Sequence, residues 1–385
     1  MLSILFIFAV FSWVIYKTVF DPWIGVVGFY FFLTLDPAWN WRWALPDGFR
    51  YQFYIFIAIM AGFAFRSFQY KKISKTSQWG LTFAFLLFLL LKLSEHFSIA
   101  PSYSNAFMNT YWKTQALFLL TILLIDTPRK CTLLLSAVAT GIFYNAYQIN
   151  LEYFQLGYCR YARMSFWGSY DLDNNTLSIM LVPAMCIGLA GIFTQRVLWI
   201  RVLSLLVAAT TGHELMLLES RGTWLGAITS LVLVGLFLPK GRQNLTYALV
   251  LLVITAALAG PPVIEEWNSI FPKDGQRDES AESRFDLWEA GWEITKEHPV
   301  LGVGPNAARV LVPAKLNSPV SVKALHNLFF DVSTSAGIPA LILFVLVGMT
   351  SWVSCFNNYN KRDMNELNQF VQLSVLTGLP TSAMS

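Results

Sequence analysis

Long apolar stretches without a helical or strand period constrain this chain more than any other feature. Runs such as 81–92 and 245–259 put apolar side chains on every side of whatever element they form, and elements of that kind suit lipid better than a water-facing surface. Composition agrees, since 55% of the 385 residues are apolar and only 13% are charged, against about a quarter charged in soluble domains. The formal charge of +4 is small and its lysines and arginines are scattered, so no nucleic-acid partner is expected. Cys131, Cys159, Cys186 and Cys355 show no CxxC spacing, so neither a disulfide framework nor a zinc site is expected.

A helix needs about 20 residues to cross the hydrocarbon core. On that ruler, spans fall near 1–16, 22–36, 51–66, 78–94, 112–126, 131–150, 176–194, 197–214, 222–238, 245–263, 326–354 and 367–385. The fold class expected is all-α, a polytopic transmembrane helical bundle of about a dozen spans. The first run lacks a basic flank and a small-residue cleavage site and reads as a span, not a removed signal peptide. Gly378, Pro380 and a polar end make the last span weak or incomplete.

Orientation follows from the excess of Lys and Arg in cytoplasmic loops. With the N-terminus outside, the cytoplasm receives Lys17, then Arg66, Lys71, Lys72 and Lys75, then Arg129 and Lys130, Arg196 and Arg201, Lys240 and Arg242, and Lys361 and Arg362. The same choice places 36–50, 94–113, 151–175 and the long segment 264–325 outside. The chain thus divides into a bundle over 1–263, an outer loop over 264–325 and C-terminal spans over 326–385. Within the outer loop the polar run 273–283 reads as a mobile tip.

The outer segments hold the residues with chemistry to offer, because ionisable groups at span ends are costly and are usually kept for function. Arg221 lies between Ser220 and Gly222, where two apolar runs turn over; it either snorkels, pairs with Glu219, or holds a ligand. Phe285, Trp288 and Trp292 recur at helical spacing, which predicts an amphipathic helix over 283–297 on the outer membrane surface. Arg284 falls near its start, where the helix dipole disfavours a cation, so a ligand is one reading and a solvated surface arginine the other. His326 begins the stretch containing Asn327 and Asp331, where the chain returns to the membrane; packing, capping and catalysis are the readings for it. Two aromatic clusters complete the set. Trp39, Trp41 and Trp43 suit an interfacial belt, whereas Tyr158, Tyr161, Phe166, Trp167 and Tyr170 lie beside Arg160, Arg163, Asp173, Asn174 and Asn175 and suit contact with a glycan.

Taken in order, Ser220, Arg221 and Gly222 at a span end, Ser283 and Arg284 with Trp288, Gly302 and Gly304 in the outer loop, and His326 with Asn327 followed by Gly337 and Ile338 resemble the O-antigen ligase and polymerase superfamily. The stretch 21–25, and Ser165, Phe166 and Trp167 followed by Asp173, Asn174 and Asn175, are most similar to its O-glycosylation ligases of exosortase-containing bacteria. The resemblance implies a glycosyltransferase of the bacterial inner membrane with the helical GT-C-like architecture and an active site facing the periplasm. It also implies an undecaprenyl-diphosphate-linked glycan as donor, a lipid A-core or protein as acceptor, membrane lipid around the spans, and no metal or other cofactor. By that likeness Arg221 and Arg284 hold the diphosphate and His326 acts at the acceptor hydroxyl. Arg160, Arg163, Trp167, Asp173, Asn174, Asn175, Asn327 and Asp331 are the further contacts it suggests for acceptor or glycan.

The residue types suit that chemistry. Guanidinium groups neutralise a departing diphosphate bidentately at any ordinary pH, and an imidazole with a pKa near about 6.5 takes a proton around neutrality. Direct attack by the acceptor would invert the anomeric centre without an enzyme-bound intermediate. Asp171 and Asp173 form a DxD pair that binds metal and diphosphate in other glycosyltransferases, a role the resemblance argues against. His213 and Glu214 open a zinc-peptidase pattern, but position 217 is Leu, so the second histidine is missing. Two other readings remain at this level: a repeat-unit polymerase, and a polysaccharide transporter or flippase, which would show inverted halves and helices broken near the midplane.

Overall fold

A computed structural model describes residues 2–45, 49–70, 73–162, 165–237, 279–359 and 366–382, with isolated positions between 246 and 257. Its elements, in chain order, are α1 (Leu2–Phe20), α2 (Pro22–Leu35), α3 (Pro37–Asn40), α4 (Tyr51–Phe65), α5 (Lys75–His96), α6 (Pro101–Leu124) and α7 (Pro128–Leu156). They continue with α8 (Asn174–Thr194), α9 (Leu198–Leu217), α10 (Arg221–Phe237), α11 (Glu279–Glu297), a 3₁₀ turn (Ala308–Val310), α12 (Val312–Lys315), α13 (Leu328–Tyr359) and α14 (Glu366–Ser382). Among the described residues there is no strand, only the isolated bridge between Trp167 and Leu172. The protein is an all-α polytopic membrane protein. Among the described residues, five stretches are long and apolar enough to cross a bilayer: Ser3–Phe20, Lys75–His96, Asn174–Thr194, Leu198–Leu217 and Leu328–Asn357. Shorter apolar helices cover 22–35, 51–65 and 222–237, while 245–263 lies outside the continuously described residues. The last segment is helical over Glu366–Ser382 despite Gly378 and Pro380.

Two compact units share the chain. The first takes 1–71, 123–266 and 355–385, and the second takes 72–122 and 267–354. The described outer segment therefore folds with α5, most of α6 and most of α13.

Between helices in lipid there is no hydrophobic gain, so packing rests on close van der Waals approach and on small residues. In the first unit α8 meets α9 where Gly188 and Gly191 face Ala208 and Ser204; a Cβ at Gly188 would lie 2.8 Å from the Ala208 nitrogen, and one at Gly191 2.2 Å from the Ser204 hydroxyl. Leu181, Leu189, Leu215, Leu218 and Leu373 fill the core around that seam, so α14 is integral to it. Polar side chains at the contact of α2 and α3 with α7 are paired, as lipid favours. The Asn40 amide donates to Leu35 O (2.6 Å) and to Asn145 Oδ1 (2.7 Å), and Asn145 Nδ2 donates to Thr34 O (2.7 Å), which ties α2 and α3 to α7. In the second unit α13 turns Ile342, Val345, Met349 and Val353 outward along one stripe, the face such a helix offers to acyl chains.

Candidate active site

The motif glycines of the second unit make a joint. Helix α13 is broken at Ala336 (φ −145°) and Gly337 (φ +81°), just before Pro339, whose missing N–H removes one helical bond. The groups released there are taken by the outer segment: Val303 N–H donates to Thr334 O (2.8 Å), Gly304 N–H to Ser335 O (3.2 Å), and Ile338 N–H to Pro299 O (2.8 Å). Ser94 Oγ also donates to Ser335 O at 2.6 Å. The approach leaves no room for side chains, since a Cβ at Gly302 would lie 2.3 Å from Thr334 O and one at Gly337 2.3 Å from Val300 O.

This joint fixes where α13 begins. His326 takes a left-handed backbone (φ +52°) and its side chain is exposed. The next residue caps the helix: Asn327 Oδ1 accepts from the N–H groups of Phe329 (3.0 Å) and Phe330 (3.3 Å). Its neighbours take structural tasks, Leu325 in the core and Asn327 at the cap. Asp331 follows in the first turn, exposed and within electrostatic reach of Arg309.

Helix α11 begins at Glu279, several residues before the expected start, so Arg284 stands in its second turn and the dipole argument loses its force there. Arg284 is half-buried. The helix packs through Leu287, Ala290, Gly291 and Ile294, and a Cβ at Gly291 would meet Leu325 and Phe330 at 3.0 and 3.2 Å; α11 thus crosses the start of α13. Phe285 and Trp292 lie on the opposite face, 57% and 49% exposed, whereas Trp288, the third residue of the expected stripe, packs against the core of this unit. Of the run 273–283, residues 279–283 are already helical and 273–278 lie outside the described residues.

In the first unit the turn before Arg221 is held by the 158–175 loop. Asn174 Nδ2 donates to Leu218 O (3.0 Å) and Ser220 Oγ donates to Asn175 Oδ1 (2.8 Å), across Glu219 in a left-handed conformation (φ +53°). Arg221 opens α10 and is described as backbone. Asp173 caps α8 by accepting from Thr176 N–H at 2.7 Å, and Asp171 sits exposed in the turn at φ +49°, so this DxD pair serves a turn and a cap. Arg163 lies outside the described residues.

The same loop closes a cleft of ≈ 390 Å³ against α3 and the end of α7, with Trp39, Arg42, Trp43, Glu152, Arg160 and Trp167 among its walls. Asp36, buried, anchors it: its carboxylate accepts from Ser169 N–H (2.6 Å) and Ser169 Oγ (2.7 Å). Arg160 pairs with Glu152 at 2.9 Å. Burial and the Glu152 carboxylate push the Tyr161 phenol up to about 12. The two aromatic clusters that read separately in the sequence are in contact here, with Trp39 and Trp167 ring centroids 5.6 Å apart.

Residues 205–345 match the family model described as O-antigen ligase. Over that segment, somewhat more than a third of the chain, the protein is similar to the O-antigen ligase family. The matched segment runs from α9 into α13 and holds Arg221, Arg284, Gly302, Gly304, His326 and Gly337. The O-antigen ligase family is one of glycosyl-transferring membrane proteins whose substrates are, in general, a lipid-linked glycan and an acceptor. No curated protein matches the chain.

Three further residues stand out among the described ones. Asp36 gave a signal only as an Asp-Pro pair at a span end. Arg309 gave none; its Nε is buried without a hydrogen-bond partner among the described residues, and its guanidinium lies 5.9 Å from the Tyr103 ring. Glu214 was weighed only as part of a failed zinc pattern. It is 0% exposed within α9, beside His213, whose Nδ1 bonds Asn150 Oδ1.

Proposed function

We propose that the protein transfers a glycan from an undecaprenyl-diphosphate carrier to an acceptor on the periplasmic side of the bacterial inner membrane, as an O-antigen ligase or O-glycosylation ligase. The observation that carries this reading is the family match over 205–345, because it encloses all three residues singled out by their chemistry. In this reading Arg221 and Arg284 bind the diphosphate, and their fixed charge stabilises it as a leaving group. His326 accepts the acceptor hydroxyl proton while the hydroxyl oxygen attacks the anomeric carbon and the carbon–oxygen bond to the diphosphate breaks. The exposure of His326 at the start of α13 supports that role, since an acceptor hydroxyl must reach the imidazole from outside.

The break in α13 is the feature a transporter would share. In that class unwound carbonyls coordinate ions, whereas here Thr334 O and Ser335 O accept from Val303, Gly304 and Ser94. The break therefore supports a rigid joint and favours the enzyme. The test is transfer by purified protein given lipid-linked donor, normalised to folded protein. Loss of a positioned base costs about 10² to 10⁴ in rate, so His326→Ala is expected to keep folding and donor binding and lose most transfer. Near-normal turnover in that variant would remove His326 from the mechanism.

A further inference from the structure

The cleft between α3, the end of α7 and the 158–172 loop is lined unlike an interfacial belt. Belt tryptophans present their rings to headgroups from a convex surface, whereas Trp39 and Trp167 wall a concave space together with Gln148, Glu152, Gln155 and Arg160. Its ≈ 390 Å³ lies within the range of ligand pockets, about 300–1,000 Å³. Trp43 lines it and is 73% exposed, which leaves a rigid apolar face to offer.

Both guanidinium groups of the cleft are already oriented. Arg42 lies over the Trp39 ring at 4.3 Å and donates to Trp39 O at 2.9 Å, and Arg160 is held by Glu152. A phosphate site would need such groups unspent and would not place a carboxylate among them. What remains is a set of fixed donors and acceptors around indole faces. Ring faces flanked by amides, a carboxylate and guanidinium edges match one ligand chemistry, the apolar face and equatorial hydroxyls of a sugar.

We infer that this cleft is a binding subsite for a short oligosaccharide, with Trp43 as the stacking platform and Gln148, Gln155, Arg42 and Arg160 bonding its hydroxyls. The inference deepens the proposed function and rests on it for the source of the sugar. The loop that walls the cleft at Trp167 leads directly into α8, whose first residues Asn174 and Asn175 hold the turn before Arg221.

The experiment uses the full chain in lipid nanodiscs, probed with an array of neutral, amino and uronic bacterial surface oligosaccharides and with phospholipid headgroup analogues. Binding to oligosaccharide is expected, weakened about tenfold by Trp43→Ala and also by Gln155→Ala. Trp199→Ala, at an exposed tryptophan outside the cleft, is the control and should leave it unchanged. In the transfer assay Trp43→Ala should raise KM with kcat retained; a rise for donor or for acceptor identifies which partner supplies the sugar. Silence across the array, binding confined to headgroup analogues, or binding and KM indifferent to both cleft variants would overturn the subsite. Oligosaccharide binding in a wild type that transfers nothing would instead overturn the proposed function and leave the subsite standing.

Discussion

His326 and Asn327 are adjacent and do different things, which makes them a matched pair for experiment. Asn327→Ala removes the side chain that caps α13 and should cost about 0.5–2 kcal/mol of stability, read as a lower unfolding midpoint, with turnover per folded molecule nearly kept. His326→Ala should do the reverse. A rate profile from about pH 5 to about pH 9 separates them further: with His326 as base, transfer falls towards acid pH, where a protonated base cannot accept, and Asn327→Ala keeps that limb. Arg221→Lys and Arg284→Lys keep a charge and lose the planar fork, so each should lower transfer severalfold or more. Full transfer in both lysine variants would show that a point charge suffices and that bidentate binding is the wrong role. Arginine and histidine were legible as candidates because a charge stands out against apolar runs. The capping task of Asn327 was not, since the same residue type suits a cap or a ligand contact until its neighbours' N–H groups are placed.

Among the elements, the joint between residues 299–304 and α13 makes the strongest demand on residue type. Gly337 combines a left-handed φ of +81° with a Cβ position 2.3 Å from Val300 O. Gly337→Ala should therefore destabilise by about 1–3 kcal/mol or more, measured by thermal unfolding in detergent, and a midpoint equal to wild type would mean that the joint yields. Gly302 and Gly337 were visible in the sequence as a motif, yet the motif alone could not say that its glycines serve a backbone-to-backbone contact. Helix α11 taught a similar lesson. Phe285, Trp288 and Trp292 announced its period, but the side that packs is Leu287, Ala290, Gly291 and Ile294, and its start at Glu279 was hidden by a polar run without an apolar stripe.

At the scale of the whole molecule, the basic loops carry one testable statement. A reporter active only outside the cytoplasm should work when fused near Lys273 or Gln276 and fail after Lys75, Lys130 or Lys240; activity in the reverse pattern would place the O-antigen ligase motifs on the wrong side for a periplasmic acceptor. Hydropathy and charge bias are local sums over about 20 residues, so the sequence by itself determined that this chain is a helical membrane protein, roughly where its spans lie, and which charged residues break the pattern. The cleft was decided only by tertiary structure. Asp36 meets Ser169, and Trp39 meets Trp167, through contacts between segments more than a hundred residues apart, and no period or propensity within either segment encodes that meeting. The same holds for Val303 against Thr334, because a hydrogen bond released by a broken helix is claimed by whichever backbone the packing brings within reach.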